Sequence, residues 1–214
     1  MTKPSRRLQF CRLQSSSRAG FTLIEIAIVL AVIGILLIVV LQGRGLIGTS
    51  HSQAVVAAVK DLSTAIAQFR ERYGYLPGDM PTATTQVPGV VAGSCSASAN
   101  GNGDGQIDAD ELACVTNHLF NAGLIKGGTG AITYYASDRM ISIRAIGRAA
   151  SAVTTFPTST RNVIEVWNAQ CQIAQDLDAK TDDGNFASGN TRATVATCVV
   201  GGANDPVPTI AVGL

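Results

Sequence analysis

The stretch AGFTLIEIAIVLAVIGILLIVVL, residues 19–41, decides how the rest of the chain is read. From Phe21 to Leu41 it is nearly all Ile, Leu, Val and Ala, with Glu25 its only charge. As a helix rising ~1.5 Å per residue, the block covers roughly 30 Å, the hydrocarbon thickness of a bilayer. A secretory signal has an apolar core of only ~7–15 residues and ends in an A-x-A-like cleavage site, and neither condition fits well here. The block is therefore long enough to form a membrane span at 21–41. A carboxylate inside such a span costs up to ~3 kcal/mol, less near the interface, so Glu25 calls for a cationic partner.

Charge is distributed to match. The chain of 214 residues carries a formal net charge of +1, yet Lys3, Arg6, Arg7, Arg12 and Arg18 all precede Gly20 and no acidic residue does. Beyond residue 20 there are 11 basic and 15 acidic side chains, a net of −4. A basic leader holds its end in the cytoplasm by the positive-inside rule. The acidic remainder is no electrostatic nucleic-acid binder, because counterion release needs clustered Lys and Arg. The length suits one domain of ordinary size plus an extension.

The run Gly20-Phe21-Thr22-Leu23-Ile24-Glu25, after a basic leader and at the head of an unbroken apolar helix, resembles the type III signal of type IV pilins and type II secretion pseudopilins. The resemblance implies cleavage between Gly20 and Phe21 by prepilin peptidase on the cytoplasmic side, and N-methylation of the new Phe21 amine. It implies a single-pass subunit of the inner membrane with a periplasmic head. An inner-membrane assembly platform would then draw this subunit into a filament with other pilin subunits. It also supplies the partner of Glu25, the Phe21 ammonium of a neighbouring subunit. A carboxylate and an ammonium in hydrocarbon favour the packing that brings them together, which sets the docking register.

Beyond the span, SQAVVAAVKDLSTAIAQFRERYGYLPGD puts Val55, Val59, Leu62, Ile66, Phe69 and Tyr73 at steps of four and three, with Lys60, Asp61, Thr64, Gln68 and Arg72 off that stripe. This is an amphipathic helix. It should stop at Tyr73, because Gly74 suits the position after a helix end and Pro77-Gly78 a turn. Gly34, Gly43, Gly45 and Gly48 weaken the helix before the stripe, each by ~1 kcal/mol against Ala. The expected organisation is a leader at 1–20, a long helix at 21–73 and a globular head at 74–214.

Within the head, NGNGDGQIDADE matches a twelve-residue oxygen-donor loop. Asn100, Asn102 and Asp104 alternate, Gly105 permits the sharp turn, and Glu111 closes the pattern. Calcium takes six to eight hard oxygens, and the spacing aims Asn100, Asn102, Asp104, the Gln106 carbonyl, Asp108 and Glu111 inward. Three charged ligands suggest a Kd on the order of 10⁻⁴–10⁻³ M. The competing reading makes Asp108 and Glu111 a capping box for a helix through ELACVTNHLFNAGLI. A second acidic stretch, DLDAKTDDG, reads as a solvated helix end and turn.

Apart from Cys11 in the leader there are four cysteines, Cys95, Cys114, Cys171 and Cys198. In an exported domain an even number suggests disulfides, with three connectivities allowed. Pairing Cys95 with Cys114 and Cys171 with Cys198 closes the shortest loops. The second loop resembles the C-terminal disulfide loop of type IV pilins. Strand signals fall at AITYYAS, MISIRAI and TRATVATCVV, and a further helix is expected over TRNVIEVWNAQCQIAQDLDAK, where Val163, Val166, Ala169, Ile173 and Leu177 share a side. The fold class is α+β, a long N-terminal helix with a small antiparallel sheet.

No nucleophile elbow, Walker loop or dinucleotide fingerprint appears, and the two histidines stand apart, so no enzyme is expected. The reading is a type IV pilus-like filament subunit, major or minor. A type II secretion pseudopilin competes within the family, and a membrane-anchored, calcium-stabilised binding module competes from outside it.

Overall fold

The first helix begins where a threonine closes it. Thr22 accepts the Glu25 N–H on its Oγ1 at 3.3 Å, and its carbonyl accepts the Glu25 and Ile26 amides. These contacts satisfy donors that a helix start leaves without intrahelical partners. The computed structural model describes residues 20–127, 132–136 and 139–214, without the side chains of 39–49, 133–136 and 139. The leader at 1–19 lies outside the described residues. Helix α1 runs Leu23–Tyr73. It ends where the sequence predicts, with Gly74 in the left-handed region (φ 79°) and its amide bonded to the Arg70 carbonyl at 2.8 Å.

The chain divides into two compact units, Met1–Arg44 and Gly45–Leu214. In the first, every described apolar side chain from Phe21 to Ile38 is exposed. Among the described residues no helix is long and apolar enough to cross a membrane. The expected span at 21–41 extends past Ile38 into residues whose side chains are not described.

The second unit takes in the outer part of α1. Val55, Val59, Leu62, Ile66 and Phe69 are all buried, as the stripe predicts, and Val56, Ala58 and Ala65 widen it. Tyr73 is only half-buried, at the edge, where its ring lies 4.6 Å from that of Phe69. Lys60, Asp61, Thr64, Gln68 and Arg72 are exposed. After α1 come the short α2 (Ala83–Gln86) and α3 (Leu112–Asn121). Strands β1 (Ile132–Ala136), β2 (Arg139–Gly147) and β3 (Asn162–Ala169) follow, then α4 (Cys171–Thr181), β4 (Thr191–Ala193) and β5 (Val207–Gly213). The five strands form one antiparallel sheet in the order β1-β2-β3-β5-β4. The fold is α+β and pilin-like.

The sheet corrects the sequence reading at one place. Residues 162–169, expected as the first half of a helix, form the central strand, and only 171–181 is helical. A strand buried on both faces shows a continuous apolar run, which also fits helical spacing. The β-branched residues Val163, Ile164 and Val166 favour the strand. Ile164 and Val166 join the main core that includes the α1 stripe, while Val163 joins a smaller cluster with Ile146, Val153, Phe156 and Ala211. Of TRATVATCVV only 191–193 is strand, and β5 is a strand that the sequence reading does not predict.

Candidate functional site

Among the described residues, polar side chains gather at the start of α1, the loop after Ala99, the middle of the sheet and the end of α4.

At the start of α1, Gly20 precedes the helix and Phe21 is 79% exposed. Glu25 stands in the first turn and is also exposed. The Thr22 cap and a glutamate three residues later favour helix initiation immediately after Phe21, and a carboxylate there complements the helix dipole.

The loop at 100–111 folds around two carboxylates. Asp79, which the sequence reading passed over, is buried and accepts the amides of Gly103 (2.6 Å) and Asp104 (3.0 Å) on Oδ1 and of Gly105 (2.9 Å) on Oδ2. Burial raises its pKa above the ordinary value, with the Asp104 charge adding to the effect and the three amides opposing it. Glu111 accepts Asn102 N–H on Oε1 at 2.8 Å and Asp108 N–H on Oε2 at 3.0 Å, and burial likewise raises its pKa. The bond to Asp108 is the return half of a capping box, formed just ahead of α3.

The remaining residues of the donor pattern are distributed as follows. Asn102 Oδ1 accepts the Asp104 amide, its Nδ2 donates to Asp108 Oδ2 at 3.2 Å, and Asp104 Oδ1 accepts the Gln106 amide. Asn100 lies apart from these, accepting from Thr84 N–H and Oγ1. The structure thus draws Asn102, Asp104, Asp108 and Glu111 into one network with Asp79 and leaves Asn100 outside it. Gly101 is required by close approach: a Cβ there would overlap the Asp79 backbone. The Cys95–Cys114 disulfide, with Cα atoms 4.9 Å apart, encloses this loop.

Next to it, buried His118 on α3 receives the Gly78 amide on Nδ1 and bonds the Ala99 carbonyl through Nε2, each at 3.0 Å. A carbonyl can only accept, so Nε2 carries the proton in this network. Burial lowers the His118 pKa, partly offset by the Ala99 bond.

In the sheet, Glu165 on β3 is fully buried opposite Arg144 on β2. Its carboxylate takes Arg144 Nε at 2.9 Å, Ser151 Oγ and Ala152 N–H at 2.7 Å, and Trp167 Nε1 at 2.9 Å. The guanidinium also lies 4.6 Å from the centroid of the Trp167 ring. Every demand of this buried charge is met, which marks a structural element.

The end of α4 is different. One carboxylate oxygen from each of Asp178, Asp182 and Asp183 lies within 4.8 Å of the others. The sequence predicts a solvated helix end and turn, and α4 does end here, yet Asp178 is 0% exposed and neither of its oxygens has a hydrogen-bond partner. Asp182 Oδ2 accepts the amides of Asn190 and Thr191, and Asp183 accepts Asn185 N–H on Oδ1 and Ser188 Oγ–H on Oδ2. Burial, reinforced by the charges of Asp183 and Asp182, raises the Asp178 pKa to about 6, and the Gly184 amide pulls weakly the other way without forming a hydrogen bond. Asp183, fully exposed, is lowered by its Ser188 and Asn185 bonds. The segment lies inside the second disulfide, Cys171–Cys198, with Cα atoms 5.7 Å apart.

Residues 15–41 match the family model described as the prokaryotic N-terminal methylation motif. The chain therefore carries the prepilin signal of type IV pilins and pseudopilins. That signal marks a pilin-like or pseudopilin substrate of prepilin peptidase. The motif is one that marks pilin-type structural subunits. No curated protein and no solved structure matches the chain.

Proposed function

We propose that this protein is a structural subunit, major or minor, of a type IV pilus-like filament. Prepilin peptidase cuts after Gly20, the new Phe21 amine is methylated, and the 21–41 helix holds the subunit in the inner membrane with its head in the periplasm. On the inner-membrane assembly platform Glu25 pairs with the Phe21 ammonium of an adjacent subunit, and the helices pack into the filament.

The observation that carries this reading is the methylation motif over 15–41, a stretch that contains Gly20, Phe21 and Glu25. The exposed side chains of the first unit support it. Phe21, Leu23, Ile24, Leu30 and Ile35 are each more than 60% exposed, and a soluble monomer rarely shows a continuous apolar surface of that extent. Lipid before assembly and neighbouring helices afterwards give that surface its cover. The loop closed by Cys171–Cys198 favours a pilus subunit over a secretion pseudopilin.

Mass spectrometry of the N-terminal peptide from cell-derived protein tests the reading. It predicts a peptide starting at methylated Phe21. An intact leader, or a cut downstream of Leu41, contradicts it.

A further inference from the structure

The unpartnered carboxylate in α4 requires a cause. A buried carboxylate ordinarily has a donor or a counter-charge, as Glu165 has in this same head. Asp178 has neither, and two further carboxylates face it from the following turn. Among the described residues no lysine or arginine comes within salt-bridge distance of the three. Arg192 is near enough to influence Asp183, but its donors go to the carbonyls of Gly189, Thr155 and Ala187.

We propose that Asp178, Asp182 and Asp183 bind a divalent cation of the calcium class, which ties the end of α4 to the start of β4. Oxygens that share one calcium at ~2.4 Å lie at most ~4.8 Å apart, and one oxygen from each of the three carboxylates lies within that limit of the others. The donors are all hard oxygens, which select calcium, magnesium or manganese over zinc. Calcium tolerates the irregular geometry of a helix end and turn, whereas magnesium demands a near-ideal octahedron. Asp182 and Asp183 are already positioned, by Asn190 and Thr191 on one side and by Asn185 and Ser188 on the other. The two ends of the 183–190 turn therefore meet at the cation, inside the disulfide loop. The site is separate from the 100–111 loop that the sequence pattern singles out, and it does not depend on the filament reading.

The test uses the full chain in detergent, stripped with EGTA and then supplied with CaCl2 or MgCl2. Thermal melting and trypsin cleavage at Lys180 and Arg192 are followed in each. Calcium at millimolar concentration should raise the wild-type midpoint by several degrees and protect both cleavage sites, with magnesium weaker at equal concentration. Asp178→Asn and Asp183→Asn should each lose the calcium response. Asp178→Asn should also melt above wild type in EGTA, because it removes a buried charge without emptying the space; this sign shows that the variant folds. Asp104→Asn, in the 100–111 loop, should keep the response. A wild-type midpoint indifferent to calcium overturns the proposal, and Asp178 then holds a proton instead. A response that survives both Asp178→Asn and Asp183→Asn overturns it too, and its loss in Asp104→Asn would move the cation to the other loop.

Discussion

His118 shows how one buried side chain joins segments far apart in sequence. Its ring bridges the turn after α1 at Gly78 and the bend at Ala99, and it lies 6.0 Å from the Phe69 ring. A proton on Nδ1 would break the Gly78 bond and charge a group with no exposure. Burial depresses the folded-state pKa, so below about 6.5 the unfolded chain binds a proton that the native head does not. The contribution of His118 to stability is thus complete above about 6.5 and is lost as pH falls toward the folded value. Long-range ¹H–¹⁵N spectra should show His118 neutral, with its proton on Nε2, well below pH 6.5; titration at or above 6.5 contradicts the assignment. Asp79 is the acidic counterpart. It holds Gly103, Asp104 and Gly105 together from more than 20 residues upstream, a partnership that no local pattern in the loop reveals.

At the scale of elements, legibility followed how each segment is buried. The α1 stripe and its end at Tyr73 could be read because one face is buried and the other exposed, which leaves a clean period and a glycine stop. Strands β1 and β2 were legible from β-branched and aromatic runs between polar turns. The central strand β3 was not, because burial on both faces erases alternation, and Glu165 breaks the apolar run for a tertiary reason, its pairing with Arg144 across β2. The acidic end of α4 is the helix end and turn that the sequence predicts, and only the burial of Asp178 departs from it. Nothing local says that Asp178 turns into the core while Asp183 stays in solvent. The disulfide pairing did follow from shortest closure, and both bonds are formed. Replacing Cys171 and Cys198 together by serine should cost about 3 kcal/mol and lower the melting midpoint by roughly 6–12 °C, read by circular dichroism under non-reducing conditions. An unchanged midpoint would mean that the loop adds nothing to the head.

At the scale of the molecule, the chain separates its chemistry along its length. Five cations precede the cleavage motif, an apolar helix with a lone carboxylate follows, and a head of opposite net charge comes last. On the proposed reading each part makes physical sense with the others: the basic leader would set orientation, the apolar helix would be covered by lipid or like helices, and the cross-linked head suits an oxidising compartment. The matched motif covers the first of these parts and most of the second, while the head is defined by its own packing. The central claim is that Glu25 registers each subunit on the freed terminus of its neighbour. Its most direct test is the yield of sheared filaments from cells whose chromosomal copy carries Glu25→Ala, beside a check that the leader is still removed. The account predicts normal processing with filament yield reduced at least tenfold, and wild-type filament yield from that strain would contradict it.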